Sequence, residues 1–600
     1  MTLDKNETDK TDKNQKTSLE DLFQLTGNIG WYQIYLVAVV TIGVGLPGAT
    51  GGNIVVFTQA APDHRCLVPE LDSNSLYNET EVESLAIPSE YNENCEIYEY
   101  SQCQEYKIDW SVNNNYTYDE LMEITDSDRN EENIVDCQNG YFWDTSVYDS
   151  TAAEDFEMVC TPAGITLQVL TTSINYVGFM VGSLLTGWAC DSFGRKWVVA
   201  ISETLYCVIM FLGGFTQNQY AYLAIRFLQG FFGISAYLAA FCYLVEIIPV
   251  KYRGISGYSV HIAYVFGLWT LTIMAYFLRD WRDLMKWQIV FIAPCLCYLF
   301  MPESPAYLMT RRKLDEVKKI FVDLARKNKV DVDGQEIQNL LEKIEQQQNA
   351  EQNQKDHEDQ SKNATFIDLF KTKNLTKISL KTGYIWLATS MIYYGVMLNA
   401  GTLPVSIYIS MMIFGLVDFL SHVLMPILLE SKLFGRKYTI FLGLSVTGVC
   451  CLISAIAVVF KPCENKVESG EASNLINIVT IVFSYLGRFF ISGTFGVVYQ
   501  FSGELYPTPV RSNGVSLGSF CSKLGTTFTP AILALRIAGE WLPGAIFAGL
   551  GLFGAVVVLT LPETRDIATL STMEEAERFY EGEKNFQNGR DNNAIETDDE

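Results

Sequence analysis

The sequence contains little charge and almost no histidine for its length. Only 19% of its 600 residues are Asp, Glu, Lys or Arg, and only four are histidine, whereas 49% are hydrophobic. Apolar runs of about 20 residues, the length that crosses a bilayer, recur along the chain. This composition excludes a soluble enzyme and predicts a protein that lies in the lipid bilayer.

Other absences narrow the function further. No GxxxxGK[ST] phosphate loop occurs, so ATP is not expected to supply energy. No motif for a cofactor or a metal ion stands out, and we expect neither. Basic residues are nearly missing from residues 61–160, which carry 25 Asp and Glu against three Lys and Arg. That segment and the acidic last thirty residues account for the net charge of -26, so no nucleic-acid partner is expected.

Twelve apolar stretches are candidate membrane spans. They lie at about 31–59, 163–189, 197–217, 219–245, 257–278, 284–301, 380–402, 404–430, 438–460, 475–503, 512–535 and 541–562. Long polar segments follow the first and the sixth. The pattern predicts an all-α membrane protein with twelve transmembrane helices in two six-helix halves.

The segments divide the chain as follows. We predict an N-terminal tail over 1–30, an N-terminal half over 31–301 that includes a large loop at 61–160, a central loop over 302–379, a C-terminal half over 380–562 and an acidic tail over 563–600. Basic residues of the short loops follow even-numbered spans, as at Arg195, Lys251 and Arg436. The positive-inside rule then places both termini and the central loop in the cytoplasm and the large loop outside. No cleavable signal pattern precedes the first span.

The chemistry of the large loop agrees with an extracellular position. Asn78 and Asn115 begin glycosylation sequons. Five of the fourteen cysteines lie there, at Cys66, Cys95, Cys103, Cys137 and Cys160. Five cysteines permit two disulfides with one left over, and their pairing stays open.

The two halves share polar landmarks about 260 residues apart, which indicates an internal duplication. Arg226 corresponds to Arg488, Glu246 to Glu504, and the PES at 302–304 to the PET at 562–564. The sequence GWACDSFGRK after the second span corresponds to LESKLFGRK after the eighth. Only the first copy has an acid, Asp191, where the second has Lys432.

These motifs resemble those of the major facilitator superfamily. Within it, GELYPTPVRSNG at 503–514, YYGVMLN at 393–399, VSIY at 405–408 and the large Cys-bearing loop resemble the organic cation, anion and zwitterion transporters among the solute carriers. The resemblance spans nearly the whole chain and is nearest to the organic anion branch. It implies a multi-pass plasma-membrane carrier of small organic ions, expected as a monomer, that works by alternating access.

Ten charged residues carry expected gating or structural roles under this resemblance. They are Asp191, Arg195, Arg226, Glu246, Arg253, Glu303, Arg488, Glu504, Arg511 and Glu563. Most lie at motif positions near predicted cytoplasmic span ends, where carboxylates and guanidiniums can pair, cap helices and separate when the cytoplasmic side opens. The alternative is ordinary topogenic and capping charge without a switching role.

Charge in the middle of a span is rarer because it costs roughly 2.5–3.5 kcal/mol at the bilayer centre. Lys523 lies in the eleventh span, where relatives that carry anions resemble one another in having a base. Its sign favours an anionic substrate. Asp418 and His422 share a face of the eighth span, and the alternative is that Lys523 and Asp418 pair and cancel. We interpret His261 as an ordinary core residue.

Aromatic residues complete the predicted substrate pocket with Lys523 and His422. They are Tyr264, Tyr393, Tyr394, Phe495 and Tyr499, which the resemblance places in the central cavity. A tyrosine ring contacts apolar bulk while its hydroxyl donates to an acidic group. The leading hypothesis is an organic anion transporter, either an exchanger or a uniporter. The alternatives are an organic cation or carnitine-like zwitterion carrier, a non-transporting receptor-like relative and, less fittingly, a sugar carrier.

Overall fold

The computed structural model describes residues 19–92, 97–110, 116–357, 366–430, 435–460, 470–565, 570 and 573–581. Long helices dominate it. In the bilayer core no water is present to hydrogen bond with the backbone, so an apolar segment must pair its own N–H and C=O groups, as a helix does. The helices of the N-terminal half are α1 (Leu19–Leu25), α2 (Trp31–Asn53), α3 (Val55–Thr58), α4 (Pro69–Asp72), α5 (Glu79–Ala86), α6 (Tyr118–Ile124), α7 (Ala152–Asp155), α8 (Pro162–Phe193), α9 (Arg195–Gly213), α10 (Gln219–Glu246), α11 (Arg253–Phe277), α12 (Trp281–Lys286) and α13 (Ile292–Tyr298).

The remaining helices follow a central segment of three helices. That segment contains α14 (Pro305–Thr310), α15 (Leu314–Lys327) and α16 (Gly334–His357). The C-terminal half contains α17 (Lys373–Leu398), α18 (Ile407–Glu430), α19 (Gly435–Val459), α20 (Gly470–Leu505), α21 (Arg511–Ala534) and α22 (Leu542–Leu559), and α23 (Met573–Glu581) comes last. Helix α1 packs against the central segment, and α23 packs against the apolar core of the C-terminal half.

Nine helices of the described chain are long and apolar enough to cross a membrane: α2 with α3, α8 to α11, α18 to α20, and α22. Three of the twelve predicted spans are not among them. The lysines of α17 and the Ser, Gly, Thr and Lys residues of α21 lower their hydropathy. The sixth predicted span is divided between a 3₁₀ turn at Trp287–Phe291 and the seven-residue α13.

The described residues between 61 and 160 form a small folded unit that contains strands, which the sequence did not predict. The strands are β1 (His64–Cys66), β2 (Ser89–Asn92), β3 (Ile97–Tyr100), β4 (Gln104–Tyr106), β5 (Ile134–Asp136) and β6 (Tyr141–Trp143). They pair antiparallel as β1 with β6, β2 with β3 and β4 with β5. Strands of three or four residues are too short to show a clear alternation of apolar and polar residues. Their stability depends on cross-links and packing.

Disulfides and a small core hold this unit together. Cys66 bonds to Cys137 and Cys103 bonds to Cys160, as the cysteine count permitted, and Cys95 lies outside the described residues. Cys66 is fully buried beside Trp110 and Leu121. Asn78 is exposed at the start of α5, whereas Asn115 also lies outside the described residues. Glycosylation at both sequons stays a prediction.

We call the two faces of the helical body the loop side and the motif side. The loop side carries residues 61–160, and the motif side carries the two GRK sequences; α8 runs from the first face to the second. The halves meet through α8 against α21 and α11 against α18. These four helices therefore frame the space between the halves.

The buried cores show where the halves join. One cluster on the loop side, here the shared core, contains residues of both halves, including Phe57, Leu271, Met397 and Phe414. Towards the motif side the clusters separate, one containing only N-terminal residues such as Val40 and one only C-terminal residues. Among the described residues, the apolar core that both halves share therefore lies on the loop side.

Candidate functional site

The motif-side end of the N-terminal half is built around a glycine turn. Gly194 ends α8 with φ at 94°, a conformation that favours glycine. The turn brings the Glu303 carboxylate to the start of α9, where it accepts from the backbone N–H of Lys196 at 3.0 Å. Arg195 pairs with Asp191 at 3.0 Å and with Glu246 at 3.1 Å. Burial raises the pKa of the Glu303 carboxyl group, and this effect exceeds that of the backbone hydrogen bonds, which lower it.

The C-terminal half repeats this arrangement. Gly435 has φ at 60°, and Glu563 accepts from the backbone N–H groups of Arg436 and Lys437, each at 3.0 Å. Arg436 pairs with Glu504 at 3.1 Å. Thr564 donates to Glu504 as Ser304 donates to Glu246. The duplication inferred from the sequence is therefore present as a repeated set of contacts.

The motif-side ion pairs all lie within one half. Arg195 reaches only N-terminal acids and Arg436 only a C-terminal acid. Arg253 and Arg511, also expected among the paired residues, form no ion pair within the described chain. Arg511 instead donates to the carbonyl of Tyr506 at 3.2 Å. No described motif-side pair holds the two halves together, and the gating role of these residues stays a prediction.

The centre of the C-terminal half contains a buried ion pair. Arg488 donates to both oxygens of Asp418, at 2.9 and 2.6 Å, and the two residues are 0% and 1% exposed. The guanidinium also lies 3.9 Å from the centroid of the Tyr393 ring, and the Tyr393 hydroxyl lies 3.3 Å from Asp418. This bidentate geometry and the additional hydrogen bonds satisfy both charges.

Lys523 therefore does not pair with Asp418, and that alternative is wrong. The Lys523 side chain is in the middle of α21 and is 7% exposed. Among the described residues, no carboxylate lies within 4 Å of its ammonium group. Its recorded contact is with the face of Phe179 in α8, at 5.4 Å from nitrogen to ring centroid. Lys523 is thus a buried cation without an ionic partner, facing the other half.

An aromatic network extends from this lysine across the interface. Phe179 contacts Tyr176 at 5.8 Å, Tyr176 contacts Tyr394 at 5.4 Å, and Tyr394 contacts Tyr393 at 5.2 Å between ring centroids. Phe495 stacks on Tyr393 at 5.6 Å. Four of the five predicted pocket aromatics belong to this network, which continues from Phe495 to Tyr499 at 5.7 Å. Tyr499 is 41% exposed, so this end of the network reaches open space.

The two histidines of the helical core meet between the halves. His261 of α11 and His422 of α18 stack with centroids 5.3 Å apart. His422 Nδ1 lies 2.7 Å from the carbonyl oxygen of Asp418, which fixes the ring orientation. His261 therefore forms part of the contact between the halves, and its interpretation as a core residue rather than a ligand stays a prediction. Tyr264, one turn further along α11, accepts from Asn53 at 2.8 Å.

Arg226, the N-terminal counterpart of Arg488, has different surroundings. It is 1% exposed and donates to the carbonyl oxygen of Thr171 at 3.4 Å and to the Gln229 side chain at 2.7 Å. No carboxylate pairs with it in the described part of the chain. The repeat conserves the arginine but not its acid partner.

One cluster of metal-ligating side chains occurs in the described residues, away from this site. It comprises His64, Cys103 and Cys160 in the folded unit on the loop side. His64 Nε2 lies 3.4 Å from the sulfur of Cys160. Both sulfurs are joined in a disulfide, so neither is available as a thiolate ligand.

Sequence reasoning missed several site residues on the N-terminal side. Phe179, Tyr176 and Asn53 carry no charge and stand in apolar runs, so nothing marked them in the sequence. Asp418 and Arg488 both lie in the middle of a predicted span. Opposite charges at the same depth in the membrane could therefore have been expected to pair. The bidentate bond itself depends on how α18 packs against α20.

The comparisons place the chain among known carriers. The protein family described as "Sugar (and other) transporter" matches residues 104–578. The chain belongs to this transporter family. Its predicted membership in the major facilitator superfamily, and there in the organic ion transporters among the solute carriers, is confirmed. By family it is a membrane transporter of small molecules.

The relatives agree over almost the full length. The chain is 27% identical to "Solute carrier family 22 member 2" of Rattus norvegicus, over 95% of this chain and 97% of the relative. It is 29% identical to "Organic cation transporter 1" of Caenorhabditis elegans, over 93% and 88%. It is 28% identical to "Organic cation/carnitine transporter 2" of Mus musculus, over 88% and 89%.

Solved structures show the same fold. The inward-open conformation of the xylose transporter XylE from E. coli matches with a TM-score of 0.53 at 14% identity, over 91% of this chain and 99% of that one. A D-xylose-proton symporter matches with a TM-score of 0.52 at 14% identity, over 89% and 99%. These likenesses concern the fold alone.

Proposed function

We propose that this transporter carries small organic anions across the plasma membrane by alternating access, as an exchanger or a uniporter. The observation that carries the proposal is Lys523, a buried cation facing the other half with no ionic partner in the described chain. Because Asp418 is paired with Arg488, its carboxylate does not neutralise Lys523.

The energetic argument concerns the cost of an isolated charge. Two opposite unit charges at ~4 Å interact by about 4 kcal/mol at an effective dielectric constant near 20, against about 1 kcal/mol in water. A carboxylate or sulfate beside Lys523 would gain this attraction, less its own desolvation. The tyrosine network, from Tyr176 to Tyr393, would contact the apolar part of the guest.

The topology gives this site a direction. We place the loop side outside the cell and the motif side in the cytoplasm, following the positive charges of the short loops. The shared core closes the extracellular side, and Tyr499 reaches open space. We propose on this basis that the structure represents a cytoplasm-facing state of the cycle.

A carnitine-like zwitterion is the second candidate. Two of the three relatives above carry cation or carnitine transport in their names. A zwitterion satisfies the same geometry if its carboxylate binds Lys523 and its quaternary ammonium lies on the tyrosine rings, as in a cation–π contact. A simple organic cation is disfavoured by the unpaired lysine.

Uptake measurements on well-expressed variants test the proposal. The substrates are a labelled dicarboxylate, a hippurate-like aromatic anion, a carnitine-like zwitterion and a quaternary ammonium ion, each with and without a preloaded counter-anion. Lys523→Gln removes the charge and Lys523→Arg retains it. Lys381→Gln is the matched control, because Lys381 lies on α17 and donates to the carbonyl of Thr560 outside the site.

We expect Lys523→Gln to lower anion uptake by about tenfold or more, with Lys523→Arg and Lys381→Gln near the parent. If Lys523→Gln lowers zwitterion uptake and the parent carries no pure anion, the second candidate is favoured. Anion uptake by Lys523→Gln at the parental rate would refute the anion assignment. Surface biotinylation distinguishes these results from poor expression.

A further inference from the structure

Tyr408 stands apart from the predicted site and belongs to the closed loop side. It is the second residue of α18 in the C-terminal half. Its described partners nevertheless come from the N-terminal half. The ring stacks on Phe57 at 5.8 Å and an interplanar angle of 19°, and meets Tyr276 edge-on at 5.4 Å. One side chain therefore joins the first residues of α18 to α3 and α11.

The hydroxyl of Tyr408 reaches the folded unit of residues 61–160. It donates to the carbonyl oxygen of Val147 at 3.1 Å. Val147 is part of the segment Ser146–Asp149, which we call the strap. Tyr148 of the strap packs against the shared core, which contains residues of both halves.

The strap is anchored to the N-terminal half. Arg279, just after α11, donates to the carbonyl oxygen of Ser146 at 2.6 Å and lies 3.8 Å from the Asp149 carboxylate. The Asp149 N–H donates back to the carbonyl oxygen of Arg279 at 3.2 Å. The strap thus moves with the N-terminal half, and Tyr408 moves with the C-terminal half.

We infer that Tyr408 and the strap form an outer latch, in which Tyr408 is a gating residue that holds the extracellular side closed. Alternating access requires α18 to separate from α11 on this side before a substrate can enter from outside. That motion must unstack Tyr408 from Phe57 and break its bond to Val147. The inference rests on the proposed alternating access but not on the substrate's charge.

A substitution that removes only the hydroxyl isolates the latch. Tyr408→Phe retains the ring contacts and loses the bond to Val147. One hydrogen bond corresponds to about a two- to tenfold shift between closed and open states. Ala275→Cys, a small change in the shared core beside Tyr276, reports opening by its reaction with a membrane-impermeant thiol reagent. The measurement needs no substrate, so it is independent of the anion assignment.

We expect Tyr408→Phe to raise the labelling rate of Ala275→Cys by about two- to tenfold. The matched control is Tyr220→Phe, because Tyr220 begins α10 on the same side, is 71% exposed and lies outside the latch. Equal labelling rates in the parent, Tyr408→Phe and Tyr220→Phe would overturn the inference.

A cross-link gives a second, stronger test. In Val147→Cys/Tyr408→Cys, a short bifunctional methanethiosulfonate reagent should link the strap to α18 and stop uptake of any carried substrate. Mild reductant should restore uptake, and each single cysteine variant under the same treatment should retain it. A cross-linked double variant that transports at its untreated rate would contradict the latch.

Discussion

The two halves resemble each other at their motif-side ends and differ at their centres. At the ends, Gly194 and Gly435 make equivalent turns, and Glu303 and Glu563 cap equivalent helices. At the centres, Arg488 has a bidentate carboxylate partner, whereas Arg226 has only neutral partners in the described chain.

The difference indicates two kinds of constraint on one duplicated fold. Helix-end turns and caps serve each half separately, so both copies retain them. The buried arginines hydrogen bond within their own halves among the described residues, and their partners differ. Arg488 bonds to Asp418 and Tyr393, whereas Arg226 bonds to Thr171 and Gln229. We therefore expect substitutions at the ends to act alike in both halves and substitutions at the centre to act differently.

The largest expected difference concerns the two buried arginines. Arg488→Met leaves Asp418 as an unpaired buried charge and should cost about 3–5 kcal/mol of stability. Arg226→Met leaves only neutral hydrogen-bonding groups without a partner and should cost about 1–3 kcal/mol of stability. Thermal unfolding of purified protein in detergent measures both. Equal losses would show that the two centres are equivalent after all.

A double substitution sharpens the test of this ion pair. Asp418→Leu/Arg488→Met removes both charges and should recover much of the stability lost in Arg488→Met, because no charge remains unpaired. If the double variant is as unstable as the single one, packing rather than charge dominates at this position.

The next largest effect concerns the paired glycines. A Cβ at Gly194 would lie 2.4 Å from a Glu303 oxygen, and one at Gly435 would lie 2.9 Å from a Glu563 oxygen. With positive φ at both positions, Gly194→Ala and Gly435→Ala should each cost about 1–3 kcal/mol. The same thermal assay should place Gly194→Ala lower, because its contact is closer and its φ of 94° is further from the left-handed helical region.

Gly187→Ala provides the control for these variants. Gly187 lies inside α8, and nothing lies within 4 Å of a Cβ built there. Alanine at a helical position without a clash should be neutral or stabilising by about 0.5–1 kcal/mol. A similar loss at Gly187 and Gly194 would mean that the turn geometry is not the cause.

The smallest effect concerns the acid that only the first half possesses. The Asp191 side chain is 75% exposed, so its pair with Arg195 should contribute about 1 kcal/mol or less. We expect Asp191→Asn to leave unfolding nearly unchanged and to slow turnover with little change in apparent affinity. Uptake kinetics at several substrate concentrations check this. A selective loss of affinity at unchanged turnover would place Asp191 in the substrate site instead.

Local chemistry explains which features the sequence could predict. The GRK turns and the motifs that contain Glu246 and Glu303 occur in both halves, so the repeat located them, although these acids contact the first turn from 51 and 107 residues away. Whether Lys523 was free depended on the partner of Asp418, which the packing of α18 and α20 decides. The short strands of residues 61–160 were missed because disulfide-linked packing, rather than alternation, determines them.

The shared core has a consequence for the temperature dependence of transport. Opening the loop side would expose apolar side chains such as Phe57, Leu271 and Phe414 to water. Exposure of apolar surface raises the heat capacity, so the free energy of opening should curve with temperature. The described motif-side surfaces carry ion pairs within each half. Closing the motif side would therefore bury less apolar surface than opening the loop side exposes. A van't Hoff plot of the equilibrium constant between the loop-side-open and motif-side-open states should therefore be curved. The main cause of the curvature should be the heat-capacity change on exposing the shared core.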